Sequence, residues 1–330
     1  RAVFIGSFPA IAAATAAFGL LDGTAARFCC MLIAGAGAGA AQTTASVFIV
    51  EGRPRSEWGE RMGWLRLAFG VGQVAGLAVA AYFAHRLEAG WIVVGVVMAF
   101  GTLLAALRLP RIAKAPPTAD PTGSARHSLS QALFSQFGVF LLCWLFAMIG
   151  LMTFYNVVPL ILRAAFDVDP STTSLVFMAG SAIGAVLYPV CGDLDRRIGS
   201  ARLLAIGIGV TLIGFLILAS ATLAHSTTGA VFGCLALVLI ATVYPFQYVG
   251  ATLLAAEIAP GGEGSAMGLF NSGVAAGAVI GAIVPMFLAK VAGYDSLPLF
   301  SLGAMIISVA FGLPLLRHLR RSSPQSFALP

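Results

Sequence analysis

The groups of this 330-residue chain that could act as acids, bases, nucleophiles or metal ligands are 4 histidines, 5 cysteines and 13 acidic residues. Their spacing supports none of those roles. His85, His127, His225 and His318 lie far apart. No zinc-ligand spacing, Ser/His/Asp arrangement or phosphate-cradling glycine loop is present. Cys29, Cys30, Cys143, Cys191 and Cys234 fall in or at the ends of apolar stretches and read as small packing residues. What remains are uncharged polar residues set inside apolar runs. Tyr155 and Asn156 precede Pro159, and Tyr244 opens a Tyr-Pro-Phe-Gln-Tyr run that ends at Gln247 and Tyr248. Their chemistry is hydrogen bonding and ring stacking, which can hold a solute but breaks no bond. A proline frees a backbone carbonyl, and in lipid that is tolerated beside a cavity or a compensating neighbour.

The elements that must carry these residues are helices in a membrane. Of the residues 59% are hydrophobic and 10% charged, whereas a soluble domain is about one quarter charged. That composition excludes an ordinary soluble enzyme, a nucleic-acid binder and a disordered chain, so membrane lipids are the expected surroundings. Ten apolar stretches, each near the roughly 20 residues a spanning helix needs, lie at 2–21, 28–50, 65–84, 91–107, 133–162, 175–191, 203–223, 229–256, 267–288 and 297–316. They run continuously rather than alternating, which argues against a β-barrel.

The basic residues orient the bundle. Fifteen of the 19 belong to the start of the chain, the even-numbered connections and the tail, and only Arg27, Arg86, Arg163 and Lys290 lie on the other side. Arg66, at the head of the third stretch, is counted with the fifteen. The positive-inside rule then makes the first side cytoplasmic. A Pro-, Ser- and Thr-rich segment at 108–132 reads as a cytoplasmic linker. It separates a four-helix first part (1–107) from a six-helix bundle (133–316), with a cytoplasmic tail at 317–330.

The two parts repeat. Met62, Gly63, Gly72 and Gly76 match Met267, Gly268, Gly277 and Gly281 at one constant offset, and Glu51 matches Glu257 one residue out of step. Against the six helices of the second part, the first is two short.

On these residues the chain resembles the major facilitator superfamily of secondary transporters, over essentially its whole length. That family has two six-helix halves joined by a cytoplasmic linker. The segment Gly192-Asp193-Leu194-Asp195-Arg196-Arg197-Ile198-Gly199-Ser200-Ala201-Arg202 is similar to the family's cytoplasmic Gly-x-Leu-x-Asp-Arg-x-Gly-Arg signature. Counted from Gly199, Arg196 stands where the family has Asp. The resemblance implies an all-α integral membrane fold whose ten helices correspond to spans three to twelve, with Arg1 near the end of the other copy of the signature. The expectation is therefore an N-terminally truncated transporter.

The resemblance also implies roles. The spans that line the family's solute route correspond here to the second, fifth and eighth stretches. Their polar residues, Gln42, Thr43, Tyr155, Asn156, Tyr244, Gln247 and Tyr248, are the expected solute contacts, with Gln247 foremost. Gln73 and Asn271 are expected to bond between helices. Glu51, Glu257, Asp195, Arg196, Arg197 and Arg202 are expected to form a cytoplasmic gate. Gly72 and Gly76, and Gly273, Gly277 and Gly281, recur at four-residue spacing and are expected to bring helices close, as are Gly35 and Gly39. The antiporter proline is replaced by Gln73, and Met31 stands where many members carry an arginine. All 13 acids lie outside the middles of the spans, which gives no internal support for proton coupling.

With neither acid nor base in the expected lining, the solute is expected to be neutral or amphipathic. The resulting reading is a monomeric permease of a bacterial inner membrane, without cofactor or metal, carrying a small organic solute by alternating access and leaving a coupling proton open. The competing readings are a non-transporting sensor or partner protein of the same fold, and a membrane-embedded transferase.

Overall fold

The computed structural model describes residues 2–50, 54, 57–83, 87–108, 134–224, 227–259 and 263–322. Their ten long helices are α1 (Ala2–Leu20), α2 (Thr24–Val50), α3 (Trp58–Tyr82), α4 (Leu87–Arg108), α5 (Gln136–Phe166), α6 (Pro170–Ile198), α7 (Ser200–Ala224), α8 (Thr227–Ile258), α9 (Glu263–Ala292) and α10 (Leu297–Ser322). A short 3-10 turn, Tyr294–Ser296, joins the last two. All ten are long and apolar enough to cross a membrane. On α4, Val96, Val97, Phe100, Leu103 and Leu107 are each more than half exposed. A soluble protein rarely leaves so continuous an apolar face in water; lipid solvates it.

The helices extend beyond the apolar stretches because a helix does not stop where lipid does. The third begins at Trp58 and includes Glu60, Arg61 and Arg66. The sixth runs through Asp193, Asp195, Arg196 and Arg197, so most of the signature segment is helix and not loop. Gly199 ends it with φ +82, a left-handed conformation in which a side chain would be strained. Its N–H caps the Asp195 carbonyl at 2.8 Å. The tenth helix continues to Ser322, past the expected start of the tail at 317. The expected linker lies outside the described residues apart from Arg108.

The chain divides into two compact units. The first contains α1, α2, α4 and the part of α3 from Ala75. Here α1 packs against both α2 and α4. A Cβ on Gly37 would fall 2.8 Å from Ile11 of α1, and one on Gly95 would fall 3.1 Å from Ala16. Phe18 and Trp91 bring their rings to 4.8 Å.

The second unit contains α3 as far as Val74 together with α5 to α10. Its central helix is α5, started by Ser135, whose hydroxyl accepts from the Phe137 N–H at 3.1 Å. Phe137, Phe140, Trp144, Ala147, Leu151 and Phe154 are all fully buried. Their alternating three- and four-residue spacing keeps them on one face. Gly277 and Gly281 admit α9 to α5: a Cβ at either would come within 2.8 Å of α5 atoms. Gly273 has only an ordinary contact with Trp144 at 3.8 Å. α7 and α8 form the most extensive pairing of the unit, and α8 also packs along α6.

Candidate solute-binding site

The site grows from Pro245. Proline has no N–H to give the carbonyl four residues back, so the Ala241 carbonyl of α8 loses its helical partner. Across from it α6 presents Gly184, where a Cβ would fall 2.8 Å from that oxygen. Next to this approach a cavity of about 280 Å³ opens among α3, α5, α6 and α8. Its walls include Tyr155 of α5, Phe177, Ser181 and Tyr188 of α6, Tyr244 of α8, and Gly70 and Gln73 of α3. Tyr155 stacks on Phe177 at 5.4 Å and meets Tyr244 edge-on at 5.8 Å. Its hydroxyl reaches the Ile240 carbonyl at 3.5 Å. These rings offer flat apolar area with hydroxyls at the edges, a surface suited to a small organic molecule.

Arg66 lies one helical turn from Gly70. It is 5% exposed, inside the span Trp58–Val79. Its burial within the span corrects the expectation that counted it with the charges of the cytoplasmic connections. Its Nη2 donates to the Tyr248 hydroxyl at 2.9 Å, and its guanidinium carbon sits 3.8 Å above the Tyr248 ring and 5.2 Å from that of Phe69. Tyr248 connects through Tyr244, at 5.6 Å, to the cavity wall. On its other side it meets Trp144 and Phe270, at 5.9 and 5.7 Å.

The structure brings only some of the expected solute residues together. Tyr155 and Tyr244 face one cavity, Gln73 joins them, and Tyr248 lies behind them against Arg66. Asn156 is exposed and outside the lining. Gln247 is fully buried, but its amide donates to the Gly207 carbonyl at 3.0 Å and to the Thr211 hydroxyl. It therefore ties α8 to α7, away from the cavity wall. Gln42 and Thr43 are half-buried on α2 in the other unit, and Asn271 is half-buried on α9.

The expected gate is likewise regrouped. Glu51 lies outside the described residues. Arg196 pairs with Asp193 at 3.0 Å and reaches Glu60 of α3 at 3.6 Å, and Arg197 pairs with Asp193 at 3.1 Å. Asp195 and Arg202 are half-buried, and Glu257 is exposed near the end of α8.

The expected glycine face on α3 is corrected. Gly72 and Gly76 have nothing described within 4 Å of an added Cβ, and the same is true of Gly35 and Gly39 on α2. The close approaches use Gly59, Gly63 and Gly70, which meet Gly192, Tyr188 with Pro189, and Ala185 of α6. Gly72 is two residues past Gly70, about 200° round the helix, so it points elsewhere. On α2 it is Gly37, between the two expected positions, that packs.

The sequence profile of the Major Facilitator Superfamily matches residues 1–282. The chain belongs to the major facilitator superfamily. No curated protein sequence matches it. Among solved structures, this major facilitator chain is similar to the transporter FucP in an outward conformation, with 16% identity, a TM-score of 0.68, and coverage of 95% of this chain and 82% of that one. A bacterial homologue of the iron transporter ferroportin, in an outward-facing state, gives 15%, 0.66, 96% and 81%. The human organic anion transporter MFSD10 gives 16%, 0.71, 94% and 76%. At these identities the likeness concerns the fold. The superfamily makes this an integral membrane protein and points to a transporter rather than an enzyme.

Arg66, Tyr188 and Glu60 were not among the expected site residues of this major facilitator chain. Arg66 carried a signal: it falls within the third apolar stretch, 65–84, and not before it. Tyr188, beside Pro189, repeats the Tyr-Pro pairing of Tyr244 and Pro245 that marks α8. Nothing in the sequence singles out Glu60 from the other exposed helix-end acids.

Proposed function

We propose that this protein is a secondary transporter that moves a small organic solute across the membrane by alternating access of its two helical halves. The solute occupies the cavity walled by Tyr155, Tyr188 and Tyr244, where rings hold its apolar body and hydroxyls, with Gln73, select its polar groups. The observation that carries this reading is the cavity itself. It is tyrosine-lined, set at the proline break of α8, and lies in a chain of a transporter family. Prolines at such positions support a helix that bends between states, since the freed carbonyl makes no helical bond to be broken. Glu60 with Arg196 and the neighbouring Asp193, Asp195, Arg197, Arg202 and Glu257 form the charged end that opens and closes. The excess of basic residues on that side supports a cytoplasmic orientation in a bacterial inner membrane. The unit that acts is a monomer, and a proton is the coupling ion to be tried first.

Reconstitution of the full-length protein in liposomes tests the reading. A panel of radiolabelled small organic solutes is offered, with and without a pH gradient. Saturable uptake of at least one solute, abolished by Tyr155→Ala, is the expected result. No saturable flux for any member, in either direction, would overturn it and favour a sensor or partner role.

A further inference from the structure

We propose that Arg66 anchors an anionic group, a carboxylate or sulfonate, on the solute held in the tyrosine-walled cavity. The proposal rests on the solute-site reading above and narrows its substrate class.

The argument starts from an uncompensated charge. An arginine stays protonated under all ordinary conditions, so burial cannot be relieved by losing the proton. Inside a membrane span such a charge is expensive unless paired. Arg66 is 5% exposed and lies within a span. Among the described residues no carboxylate pairs with it. Its partners are one hydroxyl and two ring faces, those of Tyr248 and Phe69. Its Nε is buried with no acceptor among the described residues. Cation–π contact offsets part of the cost but leaves that donor and the net charge without a counterion.

The empty volume that could supply the counterion is adjacent. Gly70, one turn from Arg66 along α3, lines the cavity, as do Tyr188 and Tyr244. An anion beside these tyrosines accepts from their O–H groups and from the guanidinium fork, whose planar geometry fits a carboxylate or sulfonate. The long aliphatic stem lets the head swing from the Tyr248 ring towards the cavity. The hydroxyls and rings then hold the remainder of the solute. An expectation of a neutral solute rests on an uncharged lining, and Arg66 removes that premise.

The test uses matched probes in liposomes of phosphatidylcholine alone, so that no anionic headgroup supplies the counterion. Equilibrium binding of radiolabelled benzoate is compared with benzamide, and of benzenesulfonate with benzenesulfonamide. The expected result is that the full-length protein binds each acid at least about tenfold more tightly than its amide, the scale of one charge-assisted hydrogen bond. Arg66→Gln erases the difference, Arg66→Lys keeps most of it, and Tyr248→Phe keeps it. Because Arg66→Gln alters a buried residue, a second measurement uses the unmutated protein. Phenylglyoxal labelling of Arg66, read by mass spectrometry, is slowed by benzoate and not by benzamide. Equal binding of acid and amide, no binding of either, or a preference that survives in Arg66→Gln each overturns the proposal. If solutes are still transported in that case, the transporter reading stands without it; if no solute crosses at all, it is the transporter reading that falls.

Discussion

The guanidinium of Arg66 lies 3.8 Å above the ring of Tyr248 and donates to the hydroxyl of the same residue at 2.9 Å. One tyrosine thus meets the cation with both its ring and its polar edge, and joins the third helix to the eighth. Tyr248 in turn touches Tyr244 on the cavity wall. The buried charge and the cavity are therefore parts of one side-chain network, and changes to either should be felt at the other.

Tyr155 should act through its ring more than its hydroxyl. The ring stacks on Phe177 and meets Tyr244, while the hydroxyl's contact with the Ile240 carbonyl is long at 3.5 Å. Tyr155→Phe should change solute affinity less than about threefold. Tyr155→Ala should weaken it at least about tenfold, as loss of ring contacts worth about 0.5–1.5 kcal/mol each implies. Binding measured on both variants decides, and equal losses would shift the weight to the hydroxyl.

Gln247→Leu should destabilise the protein without changing which solutes it binds. The substitution leaves the Gly207 carbonyl and the Thr211 hydroxyl without the amide that ties α8 to α7. Losing buried hydrogen bonds of this kind costs about 1 kcal/mol each. The unfolding midpoint in detergent should fall while relative affinities across a solute panel stay fixed. A change in selectivity at unchanged stability would return Gln247 to the binding site.

Two glycines on one helix should respond in opposite ways to the same change. A Cβ on Gly63 would stand 2.8 Å from the Tyr188 carbonyl and 2.9 Å from Pro189 Cα, both backbone atoms that cannot swing aside. Gly63→Ala should cost about 1–3 kcal/mol, the usual price of overpacking. Gly72→Ala, with nothing described within 4 Å of an added Cβ, should lose no stability. Thermal unfolding of the two variants side by side checks the rotation of α3.

The Glu60–Arg196 pair should contribute little to stability. The two atoms are 3.6 Å apart on side chains that are 55% and 44% exposed, and Arg196 also binds Asp193 at 3.0 Å. Exposed pairs of this kind couple by about 0–1 kcal/mol, screened further by salt. A double-mutant cycle with Glu60→Gln and Arg196→Gln at low and high salt measures the coupling. A large, salt-insensitive value would make the pair a structural clamp.

The membrane fold was legible because its signals are local. A run of about 20 apolar residues declares a span by itself, and the paired Met-Gly and Glu positions, with the Gly192–Arg202 segment, pointed to the family. Helix ends were less legible at α3 and α6, where Glu60, Arg61 and Asp193 continue the helix past the apolar run. Of the site, Tyr155 and Tyr244 could be read from their proline-marked helices. Gln247, three residues from Tyr244 on the same helix, could not be told from them by composition.

What the sequence by itself determined is which segments enter the membrane and which family they build. Only the tertiary structure decided which way each helix faces. A rotation of about 100° per residue separates Gly70, packed on Ala185, from Gly72, which has no described neighbour. The same rotation turns Gln247 to α7 and Tyr244 to the cavity, and carries Arg66 inward to Tyr248. In lipid an apolar side chain is solvated on any face, so hydropathy leaves that rotation undetermined. Backbone close approach and the pairing of the few polar groups choose it.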